Sequence, residues 1–181
     1  MNDQERSHYI SLIEDAQKLF KLSLAVNGTC ASTKQDAFTY LDTFSYFKHT
    51  VNRDDLYLDP DDEKLAAAAF EHCAIYVLAV QMDTILGEVF TDRFRHPDSD
   101  ICSAAWISRL IRNAFAHSPL DPIWQTYSEC DNKIYKVKDI ITLETAGLNE
   151  VRVVRQHYGG PIAILKLSEF VKTEVSSIAA T

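Results

Sequence analysis

The stretch Cys73-Ala74-Ile75-Tyr76-Val77-Leu78-Ala79-Val80 is apolar on every side of the helix that its spacing predicts. A helix of this kind is surrounded by protein on most of its sides. Upstream, Asp59-Pro60-Asp61-Asp62-Glu63 has the features of a helix start. Asp59 is a suitable cap, Pro60 suits the first helical position, and the acids favour the positive end of the helix dipole. We therefore predict a central bundle helix that runs from about residue 60 to about Phe90.

Other segments on both sides of this helix also show helical spacing. Residues 3–26 form an amphipathic pattern that Asn27-Gly28 should stop, since glycine suits a left-handed cap. A second helix is predicted over 34–50, with four apolar residues on the side that should face the core: Phe38, Leu41, Phe44 and Phe47. Thr91–Pro97 is predicted as a loop. Asp98-Ser99-Asp100 then caps a helix that should end near His117, before Ser118-Pro119 and Asp121-Pro122.

Beyond Pro122 the composition favours short strands. Four segments are rich in β-branched and aromatic residues: Trp124–Ser128, Lys133–Val137, Ile140–Leu143 and Val151–Arg155. Gly159-Gly160-Pro161 opens a final helix over about 161–178, and we interpret it as a turn and cap rather than an anion site. The predicted fold is mainly α. An antiparallel helical bundle spans 1–120, and an extension at 121–181 adds a small antiparallel β-sheet and the last helix, all packed as one compact unit.

The overall composition is that of an ordinary soluble domain. The 181 residues are 46% hydrophobic and 24% charged, and the net charge of −8 argues against nucleic-acid binding by bulk electrostatics, although a local basic pocket stays open. The four cysteines form no C-x-x-C pair, so we predict no metal site, and we interpret Cys73 and Cys102 as packing residues. The start of the chain is polar and no apolar run approaches the ~20 residues of a membrane span. We expect a cytoplasmic protein with no cofactor and no contact with membranes.

The helix over 101–117 has an unusual outer face when it is drawn as a helical wheel. Six apolar residues cluster on the side that should face the core: Ala104, Ile107, Leu110, Ile111, Ala114 and Phe115. The opposite side holds small residues, two arginines and an asparagine: Cys102, Ala105, Arg109, Arg112, Asn113 and Ala116, with Trp106 at its edge. A solvated face would more often carry Lys and Glu. Small residues allow a second backbone to come close, which favours a two-fold dimer through this helix.

The end of that helix, Arg112-Asn113-Ala114-Phe115-Ala116-His117, carries the residue types that RNA cleavage by transesterification needs. A histidine transfers protons near neutral pH, and the negative end of the helix dipole favours its charged form. An arginine binds a phosphate and stabilises its developing charge. The ribose 2′-hydroxyl supplies the nucleophile, so the reaction needs no metal. Arg112 and His117 point about 140° apart, with Asn113 between them and able to hydrogen-bond either one.

This hexapeptide resembles the R-x4–6-H motif of the HEPN superfamily, in which a polar residue commonly follows the arginine, as Asn113 does here. The resemblance implies a helical bundle and a homodimer in which two motifs face one cleft. It further implies a metal-independent endoribonuclease of the toxin or defence type, with Arg112 on the phosphate and His117 as general acid or base. An antitoxin such as a nucleotidyltransferase would be a further partner. The resemblance covers about residues 3–118, and the strand-rich extension lies outside it.

Several alternatives stay open at this point. Many HEPN proteins are non-catalytic, so the same helix face would serve dimerisation, nucleotide binding or partner binding. In a purely structural interpretation His117 is a helix-capping residue and Arg112 a surface charge. Arg109 is interpreted as an interface or RNA-positioning residue. Asp83 and Glu88 interrupt the central helix, and we favour exposure or a buried ion pair over a catalytic role. In a third hypothesis the extension carries the main role and the bundle only dimerises.

Overall fold

The mainly helical architecture with a small antiparallel sheet and a final helix is confirmed by the computed structural model, which describes residues 1–32 and 42–178. The elements in chain order are α1 (Asp3–Ser32), β1 (Thr43–Tyr46), β2 (His49–Asn52), α2 (Arg53–Leu56), α3 (Pro60–Val89), α4 (Ser99–Ala116), β3 (Ile134–Val137), β4 (Ile141–Glu144) and α5 (Pro161–Ser177). Short 3-10 turns lie at Arg93–Arg95 and Arg155–His157.

The central helix α3 begins and ends as the sequence predicts. The Asp59 side chain accepts hydrogen bonds from the backbone N–H groups of Asp61 and Asp62 at 2.9 and 3.0 Å, and Pro60 occupies the first turn. α1, α4 and α5 pack against α3. Cys73 is exposed, so its interpretation as a packing residue is wrong. Cys73 lies on the part of the α3 surface that the packed elements leave uncovered, although the next residues, Ala74 and Ile75, are buried.

Among the helices in the described ranges, α3 alone is long and apolar enough to cross a membrane by length and composition, and 39% of its apolar window is buried inside the protein. Its buried residues include Ile75, Leu78, Met82 and Leu86, all without exposed surface. This burial is what the core helix of a bundle requires. The core helix of a soluble protein passes the same test of length and composition.

The predicted end of α1 at Asn27-Gly28 is wrong, because the helix continues to Ser32. The Asn27 side chain donates a hydrogen bond to the carboxylate of Glu71 on α3. Cys30, one turn beyond Asn27, is 1% exposed. Tertiary contacts on both sides of Gly28 thus outweigh the roughly 1 kcal/mol that glycine costs inside a helix.

The predicted helix over 34–50 is also wrong where the structure describes it. Residues 43–52 form a β-hairpin in which β1 pairs antiparallel with β2, from Thr43 opposite Asn52 to Tyr46 opposite His49. Phe47 lies in the turn with φ 55° and is 89% exposed, so it is not a core residue. The β-branched residues Thr43, Thr50 and Val51 favour strands, which the helical spacing of the phenylalanines concealed. Phe38 and Leu41 lie outside the described residues.

The extension contains two of the four predicted strands. β3 and β4 pair antiparallel, from Ile134 opposite Glu144 to Val137 opposite Ile141, and β3 packs on α4. The predicted strands at Trp124–Ser128 and Val151–Arg155 are wrong. These segments run side by side but share one isolated bridge, between Ile123 and Arg152. The left-handed φ of 62° at Glu150 and the turn around Cys130 interrupt any longer ladder.

The last helix is confirmed, and it packs mainly on α1. Gly159 and Gly160 have φ of 81° and 82°, and Pro161 takes the first helical position, as expected for a turn and cap. The buried side chains of Gln17 and Ser168 join α1 to α5 through a 2.9 Å hydrogen bond. One hydrophobic core runs from Ile13 to Val175 and includes residues of the extension.

Candidate functional site

A buried carboxylate on α3 lies at the centre of the candidate site. Asp83 is 3% exposed and forms ion pairs with three arginines. Its carboxylate oxygens lie 2.9 Å from Nη2 of Arg93, 3.2 Å from Nε of Arg109 and 2.9 Å from Nη1 of Arg112. Nη1 of Arg93 also donates to the backbone carbonyl oxygen of Asp83. We call Asp83, Arg93, Arg109 and Arg112 the arginine cluster.

The local sequence explains how these four side chains meet. Arg109 and Arg112 are three residues apart on α4, so they project from one side of that helix toward α3. Arg93 comes from the turn between α3 and α4, where Asp92 adopts a left-handed conformation with φ 55°. Gly87 lies one turn after Asp83, and a Cβ atom built there would overlap the guanidinium of Arg93. The glycine therefore lets Arg93 cross the surface of α3.

The arginine cluster contains more positive than negative charge, although the charge of Glu88 also acts on Arg93. Three guanidinium groups share one carboxylate, and the side chains of Arg109 and Arg112 remain 32% and 39% exposed. Arg93 is the most enclosed, with 12% of its side chain exposed. Burial lowers the pKa of the Arg93 guanidinium, the charge of Asp83 opposes that change, and the nearby charges of Arg109 and Arg112 lower the pKa further. Such a group of fixed guanidiniums is suited to bind an anion of phosphate type.

Asn113 holds a residue of the extension rather than Arg112 or His117. Its Nδ2 donates a 2.8 Å hydrogen bond to the hydroxyl of Tyr127. The expectation that Asn113 bonds one of the two motif side chains is therefore wrong for the single chain. The reason is that the segment after Pro122 passes over this side of α4 and brings the hydroxyl of Tyr127 to Asn113.

His117 caps the C-terminal end of α4 and is exposed. It lines a cavity of about 250 Å³ together with Ala114, Ser118, Asp121, Ile123, Gln125, Asn149 and Glu150. We call this the histidine cavity. Most of its lining residues belong to the extension, which the sequence analysis had left without a role at the site. Arg112 does not line this cavity.

The four predicted site residues therefore lie at three separate places. Arg109 and Arg112 come together at Asp83, while Asn113 contacts Tyr127 and His117 lies at the histidine cavity. The interpretation of Asp83 as half of a buried ion pair is confirmed, and Glu88 is exposed. The sequence analysis missed Arg93 and Tyr127. A signal for Arg93 existed in Gly87, because a glycine inside a long helix often marks the close approach of another group.

The outer face of α4 is only partly open. The Trp106 ring lies 4.5 Å from that of Phe94 and 5.7 Å from that of Tyr135, measured between centroids. Cys102 lies 3.2 Å from the carbonyl oxygen of Phe94. Ala105 has no exposed surface, so its placement on the outer face is wrong. The chain's own turn and β3 thus cover the first half of this face. In the second half Arg109 and Arg112 are half-buried, and Ala116 and His117 are exposed.

No grouping of three or more His, Cys, Asp or Glu side chains suited to a metal ion occurs within residues 1–32 and 42–178. Comparisons of the chain with models of known protein families, with curated proteins and with solved structures find no match.

Proposed function

We propose that the protein is a metal-independent endoribonuclease of the HEPN type that acts as a homodimer. The arginine cluster is the observation that carries the proposal, because two partly exposed guanidiniums are fixed on a buried carboxylate beside a third arginine. Arg112 binds the scissile phosphate, and Arg109 binds the same or the neighbouring phosphate. A planar guanidinium that is already oriented loses little entropy when it binds such a group.

The reaction follows from the residue types. The imidazole of His117 takes the proton of the ribose 2′-hydroxyl or delivers a proton to the departing 5′-oxygen. The 2′-oxygen forms a bond to phosphorus as the bond to the 5′-oxygen breaks, which leaves a cyclic phosphate and a free 5′-hydroxyl. Arg112 stabilises the charge that develops on the phosphate oxygens.

A second copy of the chain brings the two motif residues together in this proposal. Within one chain, Arg112 is directed at α3 while His117 lies at the histidine cavity. Pairing of two chains through the accessible half of α4 would set His117 of one copy against Arg112 of the other. Arg109, Arg112 and the small, exposed Ala116 lie on this half. We place the protein in the cytoplasm, in agreement with its free cysteines, and expect an antitoxin of nucleotidyltransferase type as a further partner.

Cleavage of single-stranded RNA in EDTA tests the proposal. His117→Ala should lower the rate by about 10²–10⁴-fold, the usual contribution of a proton-transfer group. Arg112→Ala should lower it by about 10²–10³-fold, the usual cost of removing one group that stabilises charge in the transition state. Arg53→Ala and His8→Ala are matched controls, since both residues are exposed and lie on other elements. Equal rates in all four variants would remove both assignments.

Mixing the two inactive variants tests whether the site is shared. If Arg112 and His117 come from different copies, a heterodimer of Arg112→Ala with His117→Ala contains one intact site. Activity should then return after subunit exchange, up to about half the parent value for each heterodimer. If both groups act within one copy, every site in the mixture lacks one of them and activity stays absent.

A non-catalytic binding module is the second candidate, and one observation favours it. Arg112 is already paired with Asp83 and Asn113 with Tyr127, so both side chains have structural roles in the single chain. This candidate predicts RNA or nucleotide binding without cleavage at any pH. It also predicts a dimer by light scattering that Arg112→Glu separates into monomers.

A further inference from the structure

A second concave surface lies beside the arginine cluster, on the other side of Phe94. This cavity has a volume of about 700 Å³, and seven residues from three separate parts of the chain line it: Asp92, Phe94, Arg95, Trp106, Glu129, Lys133 and Tyr135. Its aromatic wall is formed by Phe94, Trp106 and Tyr135, which contact each other in a row. We call it the aromatic cavity.

The arginine cluster and the aromatic cavity share Phe94 as a common wall. The guanidinium carbons of Arg93 and Arg109 lie 4.8 and 5.2 Å from the centre of the Phe94 ring. Trp106 and Arg109 are three residues apart on α4, so their positions differ by about 4.5 Å along the helix axis. The arginine cluster and the aromatic cavity are therefore adjacent along α4, although Arg109 itself does not line the cavity.

The charges around the cavity select an anionic ligand. Arg95 and Lys133 stand at its rim beside the carboxylates of Asp92 and Glu129. Arg93 and Arg109 lie behind Phe94, where they share the single carboxylate of Asp83 with Arg112. A cationic ligand bound to the aromatic rings would be repelled by four positive side chains. A flat ring with a phosphate attached fits better, because the ring stacks on aromatic side chains and the phosphate pairs with guanidiniums.

The carboxylates of Asp92 and Glu129 are suited to accept hydrogen bonds from the edge of a nucleobase. Bases carry N–H donors as well as carbonyl acceptors, so a rim with acids and cations can bond both kinds of group. Burial raises the pKa of the Tyr135 phenol to about 12, so the hydroxyl stays protonated at neutral pH. The turns that hold the rim are fixed by left-handed residues, Asp92 with φ 55° and Asn132 with φ 52°.

We propose that the aromatic cavity is a nucleobase subsite, in which a base of single-stranded RNA stacks on the Phe94–Trp106–Tyr135 wall while phosphates of the strand pair with Arg95 and Lys133 at the rim. This inference rests on the proposed function, which identifies the bound polymer as RNA. It adds a base-binding surface that selects unstacked, single-stranded RNA over a duplex, whose paired bases cannot enter the cavity.

Binding to two oligomers of equal charge tests the inference. The full-length His117→Ala chain, in EDTA, is titrated with an unstructured RNA of roughly ten nucleotides, within the usual site size of such proteins. The second probe is a ribose-phosphate oligomer of the same length without bases. RNA should bind about tenfold to a hundredfold more tightly, which corresponds to the stacking of one or two bases.

The two tryptophans provide a direct signal. Trp124 is fully buried and its indole N–H donates to His157 at 2.8 Å, whereas Trp106 is half-buried at the cavity. RNA should quench the fluorescence of Trp106, and the oligomer without bases should not. Trp106→Phe should lose the quenching and keep most of the affinity, while Trp106→Leu should lose affinity by about tenfold.

Two exposed lysines provide a matched pair of variants that leaves the aromatic wall of the cavity intact. Lys133→Ala should weaken RNA binding and reduce its salt dependence by about one ion, as loss of a phosphate contact does. Lys136→Ala, three residues later and outside the cavity, should change neither. Both lysines are exposed, so their loss spares the core.

The outcomes separate this inference from the proposed function. Equal affinity for the two oligomers, or unchanged RNA affinity in both Trp106→Leu and Lys133→Ala, overturns the base subsite and leaves RNA binding and cleavage standing. Quenching of Trp106 by RNA in a parent chain that never cleaves RNA supports the subsite and rejects the nuclease. Absence of binding to either oligomer rejects both.

Discussion

Arg112 and His117 lie five residues apart on one helix, yet their surroundings differ in almost every respect. Arg112 belongs to the bundle, where it pairs with a carboxylate of 3% exposure that two further arginines share. His117 lies at an exposed helix end in a cavity formed mostly by the extension. In the proposed function, the half of the motif that binds phosphate is thus held in the bundle, and the half that transfers protons is accessible. A group that binds a fixed charge gains from rigidity, while a group that exchanges protons needs contact with solvent or substrate.

The largest expected effect comes from breaking the rigid half. Asp83→Ala removes the only carboxylate that contacts the three guanidiniums among the described residues, and it should lower the free energy of unfolding by about 3 kcal/mol. Arg93 contributes most to this loss, because just 12% of its side chain reaches solvent. Urea unfolding followed by circular dichroism measures the change.

The matched control lies at the accessible half. Asp121 lines the histidine cavity and pairs with Arg152 at 2.6 Å, but the two side chains are 59% and 72% exposed. Asp121→Ala should therefore cost less than about 1 kcal/mol. If Asp83→Ala were as mild as Asp121→Ala, the arginine cluster would not be the rigid element that we describe.

The same contrast explains how far the sequence predicts the molecule. α3, α4 and α5 are predictable because their caps, such as Asp59 and Asp98, and their apolar spacing agree. The hairpin at 43–52 is not, since its β-branched residues outweigh the helical spacing of the phenylalanines. The continuation of α1 past Gly28 is not either, since tertiary contacts of Asn27 and Cys30 outweigh the local signal of the Asn-Gly pair.

At the site, the wheel predicts the angular separation of Arg112 and His117 and the shared side of Arg109 and Arg112. It does not predict that Asp83 is their partner, because that contact joins residues 26 and 29 positions apart on two helices. Nor does it predict the histidine cavity, whose walls come from loops after Pro122 that have no regular period.

A smaller effect tests how Gly87 supports the arginine cluster. Gly87→Ala should displace Arg93 from Asp83, and the lost charge-assisted hydrogen bonds, about 1.5–3 kcal/mol, should exceed the roughly 0.5–1 kcal/mol that alanine contributes to a helix. In an Arg93→Ala background the same substitution meets no guanidinium and should stabilise the protein. Thermal unfolding of the four proteins of this cycle gives the coupling. An equal sign in both backgrounds would mean that Arg93 accommodates a Cβ without leaving Asp83.

The smallest expected effect lies at the accessible half and depends on pH. Trp124, next to the cavity residue Ile123, donates its indole N–H to Nδ1 of His157 at 2.8 Å, and the backbone N–H of Val154 donates to the same atom at 3.3 Å. Both bonds require an unprotonated Nδ1, and burial lowers the pKa of His157 below its ordinary value of 6.5. Below that pH the unfolded chain binds more protons than the folded one.

The contribution of His157 to stability should therefore be complete above about pH 6.5 and decline as the pH falls toward the lowered pKa of the folded state. The slope should be shallow, because one half-buried group is involved. Urea midpoints between neutral and mildly acidic pH, read from tryptophan fluorescence, measure it. His157→Gln keeps an acceptor that does not titrate and should flatten the slope, whereas His8→Ala should leave it unchanged. If the slope survives in His157→Gln, another group controls the acid response, and protonation of His157 is not its cause.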